Sequence, residues 1–209
     1  MAIISKICTH HYGGRANDIY APTADTSVSQ INNAHAARTF NLSSMGWYVG
    51  YSFIIFKDGT VQQFRALGEQ TAGATGSNFD TIHIALAGNF ITRPDGMVVE
   101  KPTSEQTSSL KTLIMNLLRE PQRYTVAPNT TFDLSATRIY PHRILQPNHT
   151  QCDCLPDNWA RNLITEVTDP RILLLQQLLQ TYRTLYDLLY KRKFGKIVGG
   201  TDKSCAGLL

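Results

Sequence analysis

No apolar run in the 209-residue sequence approaches the length of a membrane span, so no segment is expected to cross a bilayer as a helix. The N-terminus lacks a basic segment followed by a long apolar stretch, and no secretory signal is expected there. Cysteine is scarce: Cys8, Cys152, Cys154 and Cys205 are too few and too scattered for a disulfide scaffold. Cys152 and Cys154 stand too close in sequence for an easy mutual disulfide, a spacing that suits metal ligation better. No internal repeat is visible. A basic balance is also missing from most of the chain. Residues 1–170 hold 13 basic and 14 acidic side chains, a net of −1, while residues 171–209 hold seven Lys/Arg against two Asp, a net of +5. The body of the chain therefore has no electrostatic footprint for nucleic acid, which is not expected as a partner. With 42% hydrophobic residues, it is set apart from disordered sequences and can bury one sizeable core.

What is present reads as helices alternating with strands. Ile3, Ile4, Ile7 and Cys8 predict a short buried strand that Gly13 and Gly14 end. Residues 14–30 read as a loop. Ser29–Phe40 reads as a helix, with Ile31, Ala34 and His35 on one face. Residues 46–56 read as a strand, and Asp58–Gly59 predicts the tight turn that joins it to Val61–Arg65. Thr81–Gly88 reads as another buried strand. Ser104–Leu118 predicts an amphipathic helix capped by Thr103 or Ser104, with Leu110, Leu113, Ile114, Leu117 and Leu118 as its apolar face. Arg138–His142 reads as a strand end and Asn158–Val167 as a helix. The expected fold class is α/β, a mixed central β-sheet flanked by helices.

This core is expected to occupy residues 1–168. Residues 169–209 form a C-terminal appendage, an amphipathic helix and a basic, glycine-containing tail. Leu175, Leu178, Tyr182, Leu185 and Leu189 make a heptad-like seam, and Lys191-Arg192-Lys193 follows it. Such a stripe needs cover, either from the chain's own sheet, by self-association, or at a membrane surface.

The residues that can carry chemistry are His10, His11, His142 and either Cys152 or Cys154. A catalytic zinc commonly takes three nitrogen, sulfur or oxygen ligands from the protein and leaves a fourth position for water. Two strand-end histidines and a loop thiolate meet that requirement. The order of the surrounding segments is more specific: ICTHH, His35, GWYVGYSFIIFKDGTVQQFR, Gly76-Ser77-Asn78, IHIALAGNF and PHRILQPNHTQCDCLPDNW. In these segments, from residue 3 to about 167, the chain resembles the zinc-dependent N-acetylmuramoyl-L-alanine amidases, the family of phage endolysins and peptidoglycan recognition proteins.

The resemblance implies a zinc site made by His10, His142 and Cys152, with Cys154 as the alternative cysteine. It implies Tyr51 facing the reacting water and carbonyl, Thr150 adding a hydrogen bond, and His35 and Asn78 near the substrate. Two departures stand out. Ala72-Gly73-Ala74 carries glycine where many relatives have histidine, and His142-Arg143-Ile144 lacks the usual aspartate. The implied activity is hydrolysis of the lactyl–L-alanine amide of peptidoglycan, in a phage endolysin held in the host cytoplasm before lysis. The alternatives are a peptidoglycan-binding module without catalysis and a cytoplasmic muropeptide-recycling amidase. A structural metal protein is a third class, which would need both cysteines in a closed site.

Overall fold

The computed structural model describes residues 1–13, 19–20 and 27–146, together with separate helical positions between 174 and 188. The expected helix at 158–167, the residues Thr150, Cys152 and Cys154, and the Lys191-Arg192-Lys193 cluster lie outside the described residues. The chain divides into two units, Met1–Val167 and Thr168–Leu209. In the second unit, Leu178, Tyr182 and Leu185 of the seam are helical and exposed. Among the described residues no helix is long and apolar enough to cross a membrane.

The first unit is built on a five-stranded sheet of order β4-β3-β5-β2-β7. Its strands are β2 (Lys6–Tyr12), β3 (Phe53–Ile55), β4 (Val61–Gln63), β5 (Thr81–Ala87) and β7 (Ile139–Pro141). All neighbours run parallel except the β3–β4 hairpin, so the sheet is mixed as expected. The first strand of the sequence reading is two strands here. β1 (Ala2–Ile4) pairs with β6 (Thr130–Phe132) in a separate small sheet, and the chain changes partner at Ser5. Ser5 and Lys6 both donate backbone N–H groups to the carbonyl of Asp80, which starts the β2–β5 ladder.

Side chains alternate across β2, and each face has its own cover. Ile7 joins Phe53, Ile55, Ile82, Ile84 and Leu86 in the larger core, under α2 (Ser104–Arg119). Leu110, Leu113, Ile114 and Leu117 of that helix are buried there, as the periodicity implied, while Leu118 is only partly buried. The other face is smaller. Ile54, Ala85, Val49 and Phe64 pack with Ile31 of α1 (Val28–Ala37). Ile31 and His35 are the buried positions of α1, and Ala34 is exposed instead of sharing their face.

The expected strand at 46–56 is extended only over Phe53–Ile55. Residues 48–50 are held mainly by side chains instead of a neighbouring strand, with one backbone bond from the Ala72 N–H to the Gly50 carbonyl. Asn32 Oδ1 accepts from the Tyr48 N–H, His35 Nδ1 accepts from the Gly50 N–H, and Arg65 Nε donates to the Val49 carbonyl. The hairpin turn forms as its sequence required, with Gly59 at φ +83° and Asp58 Oδ1 accepting from the Thr60 N–H.

Thr103 is the N-cap of α2 and forms a reciprocal capping box with Gln106. Gln106 is fully buried, and its Nε2 donates to the Ile55 and Ala87 carbonyls at the ends of β3 and β5. Gln106→Leu keeps the bulk but strands two buried carbonyl acceptors and removes the side-chain acceptor of the Thr103 N–H, at about 1–3 kcal/mol. Urea titration of the variant is expected to show a lower midpoint at an unchanged slope. An unchanged midpoint would remove this clamp from the account.

Candidate functional site

The alternation along β2 decides which of the paired histidines enters the site. Cys8 pairs with His83 and His10 with Ala85 in the parallel register, so Cys8, His10 and His83 share the face toward α1. His11 is turned to the other face, where its Nδ1 accepts the Phe90 N–H at 3.3 Å. His10 is therefore the histidine available to a ligand on this face.

His142 reaches the same place from the far end of the chain. β7 lies against β2, with Ile7 paired to Ile139 and Thr9 to Pro141, and His142 begins the short helix α3 (His142–Leu145) directly after it. The His10 and His142 rings stand 4.4 Å apart between centroids, and both residues are buried. His142 Nε2 lies 2.8 Å from Gln146 Oε1. With the Gln146 amide oxygen as acceptor, this nitrogen carries the proton and Nδ1 the lone pair. The structure thus brings together His10 and His142 of the expected ligand set, and the cysteine lies outside the described residues.

Tyr51 stands beside them. Its ring is 5.3 Å from that of His10 and 5.7 Å from that of His35. The loop carrying it is held by Arg65, whose buried guanidinium donates to the carbonyls of Val49 (2.6 Å), Asn41 (2.5 Å) and Gln70 (3.0 Å). The rigid fork of an arginine can satisfy three separated carbonyls that one ammonium could not reach.

His35 is 4% exposed, with Tyr12, Phe40 and Tyr51 around its ring and its Nδ1 taken by Gly50. Burial, reinforced by the Arg38 and Arg65 charges, lowers its pKa to about 4. In this structure it supports the wall that presents Tyr51. Asn78 folds its own loop, where Oδ1 accepts from the Ala74 N–H and its carbonyl from Thr71. It also lines a pocket of about 160 Å³ with Phe40, Arg65 and Ala72.

The sequence reading missed His83 and Cys8. Cys8 Sγ and the ring nitrogens of His10 and His83 all lie within 4.8 Å of one another. His83 is 0% exposed, and burial, with the nearby His10 and His142 rings opposing a further positive charge, holds its pKa well below the usual value. A histidine inside the otherwise apolar run TIHIALA was the available signal, since a buried polar ring requires partners.

Residues 2–156 match the family model described as N-acetylmuramoyl-L-alanine amidase. The chain belongs to this amidase family. Peptidoglycan-recognition protein SC2 of Drosophila melanogaster is 28% identical over 150 residues, 71% of this chain and 67% of that protein. Among solved structures, the endolysin N-acetylmuramoyl-L-alanine amidase LysCS from Clostridium intestinale superposes with a TM-score of 0.51 at 22% identity. That match covers 77% of this chain and 93% of the other. The Ph2119 endolysin of a Thermus scotoductus bacteriophage gives 0.52 at 17% identity, covering 80% and 86%. These last two likenesses concern the fold.

The donor chemistry of this amidase-family site fits a metal ion. Two buried imidazoles near the C-terminal ends of parallel strands offer ring nitrogens, the donors that divalent transition metals prefer.

The depressed His35 value has a pH consequence. Between pH 6.5 and about 4 the unfolded chain protonates this residue and the folded chain does not. Its contribution to stability is present above pH 6.5 and is lost as the pH falls through that window, by roughly 3 kcal/mol. Denaturant titrations from pH 7 to pH 4 should show a shallower loss in His35→Asn, whose amide oxygen can still accept from Gly50. Equal slopes in the two proteins would exclude His35 as a source.

Proposed function

We propose that the protein is a zinc-dependent N-acetylmuramoyl-L-alanine amidase that cleaves the amide between the lactyl group and L-alanine of peptidoglycan, acting as an endolysin. The observation that carries this reading is the convergence of His10 and His142, 132 positions apart in sequence, beside the Tyr51 ring. A purely structural zinc favours a closed shell of four protein ligands, whereas this pair sits next to a phenol suited to a developing oxyanion.

His10 and His142 would hold the ion, with Cys152 as third ligand and Cys154 as its alternative. A zinc ion held there supplies Lewis acidity toward water and the scissile carbonyl. Tyr51 donates its phenolic proton in a hydrogen bond to the carbonyl oxygen as negative charge builds on it, and Thr150 adds a second donor. Arg65 and His35 keep Tyr51 in place by fixing the loop before it. The substrate is expected along the Asn78 loop. The endolysin assignment carries with it residence in the host cytoplasm until lysis. The seam of the second unit, followed by Lys191-Arg192-Lys193, suits an anionic wall or lipid surface to which it would deliver the catalytic unit.

The test is zinc titration of the metal-free protein together with release of stem peptides from purified sacculi. His10→Ala and His142→Ala are each expected to abolish both, and His11→Ala to preserve both. Zinc binding without peptide release would make the protein a recognition module, and full release by metal-free His142→Ala would exclude the zinc mechanism. For the thiolate, Cys152→Ser is expected to lose most zinc affinity and Cys154→Ser little, and the reverse ranking transfers the role. A chain ending at Thr168 is expected to hydrolyse purified sacculi while losing activity on whole cells. Equal activity on both would rule out delivery by the second unit.

A further inference from the structure

Two imidazoles and one backbone carbonyl form a directional chain behind the site. His83 Nε2 lies 3.2 Å from the Ser77 carbonyl oxygen, and His83 Nδ1 lies 2.7 Å from His10 Nε2. The first link sets the second. A carbonyl has no proton to give, so His83 Nε2 carries the hydrogen and donates it to Ser77. A neutral imidazole has only one N–H, so His83 Nδ1 is an acceptor, and His10 Nε2 must donate to it. His10 is then left with its lone pair on Nδ1. A doubly protonated His83 would instead bury a cation at 0% exposure against another imidazole, with no acidic side chain paired to it among the described residues.

We infer that His83 is a positioning residue for the metal ligand His10, fixing its tautomer and ring orientation so that Nδ1 faces the metal beside Nδ1 of His142. The inference rests on the metal reading above and assigns the ligating atom of that site. It also decides how the Cys8–His10–His83 cluster works. With a proton shared between His10 Nε2 and His83 Nδ1, that edge of the two rings is occupied by a hydrogen bond, and the metal belongs on the opposite edge of His10. A nitrogen-to-nitrogen separation of 2.7 Å suits that bond. His142 is set in the same sense by Gln146, so both histidines present the same kind of nitrogen.

The packing around His83 admits no substitute from the neighbouring loop. A Cβ built on Gly73 would collide with the His83 imidazole at Nδ1, Cγ and Cε1. The φ of Gly73 is not in the left-handed region, so the glycine is required for space and not for backbone conformation. A side chain at 73 and an imidazole at 83 exclude each other, and this chain keeps the imidazole.

The experiment has two parts. Long-range proton–nitrogen NMR on the metal-free wild-type protein is expected to show both His10 and His83 protonated at Nε2. Protonation of His10 at Nδ1 would overturn the inference, and this readout needs neither zinc nor activity. Zinc affinity is then measured by competition with a chromophoric chelator. His83→Phe keeps a ring but removes the acceptor, and a 10- to 100-fold weaker affinity is expected. His83→Asn places an amide oxygen near the position of Nδ1 and is expected to restore affinity to within a few-fold of wild type. Equal losses in the two variants would mean that the ring only fills space. A loss in Cys8→Ala as large as that in His10→Ala would mean direct ligation by the Cys8–His10–His83 cluster, which also overturns the relay. If the wild type binds no zinc, the metal reading fails while the tautomer measurement still stands.

Discussion

Seven consecutive parallel pairs join β2 to β5, from Lys6–Thr81 to Tyr12–Ala87, and the site takes its geometry from that ladder. A strand places alternate residues on opposite faces, so a slip of one residue would exchange the two adjacent histidines. His11 would then enter the site, and His10 would face the core under α2. The register is held by the apolar residues of the other face. Ile7 is buried with Ile82, Ile84 and Leu86 of β5 under α2, and a slip of β2 would turn Ile7 out of that core and put Cys8 and His10 into it. The chemistry of one face is thus specified by the hydrophobicity of the other.

Behind the site, polar groups are satisfied by fixed donors and acceptors of the protein. Arg65 gathers carbonyls from two loops, His35 takes the Gly50 N–H, and Ser77 orients His83. Each of these side chains is buried or half-buried and has a defined partner, the condition under which polar networks rigidify a site. Tyr51 and His10 therefore inherit their positions from neighbouring groups that are themselves held in place.

Much of this was legible in the sequence because its signals were local. The 3.6-residue periodicity of 104–118, the Asp58–Gly59 turn and the apolar run 81–88 each encode one element with its own neighbours. His10 and His142 could be named because they sit at the ends of such elements within a resemblance to a known family. What escaped depended on contacts between distant segments. Of the strand expected at 46–56, the part before Phe53 gives way to side-chain hydrogen bonds from Asn32, His35 and Arg65, which no window of sequence contains. The break at Ser5 arises from the Asp80 carbonyl. Gly73 stood out only as a departure from the relatives' histidine, and the structure gives it a steric reason in the His83 ring on a different segment. Thr150, Cys152 and Cys154 lie outside the described residues.

The pairing of β7 with β2 has a consequence for how the protein comes into being. His10 lies at one end of the catalytic unit and His142 near the other, joined only when Ile139–Pro141 docks beside Ile7–Thr9. Closing so long a loop is costly until the intervening core has formed, so this contact comes late in folding. During vectorial synthesis the first histidine emerges with nothing to meet, and a nascent chain shorter than about 140 residues holds half a site. The two histidines meet only when β7 joins the sheet. The pairing that unites the two histidines thus has to wait until most of the first unit has been made.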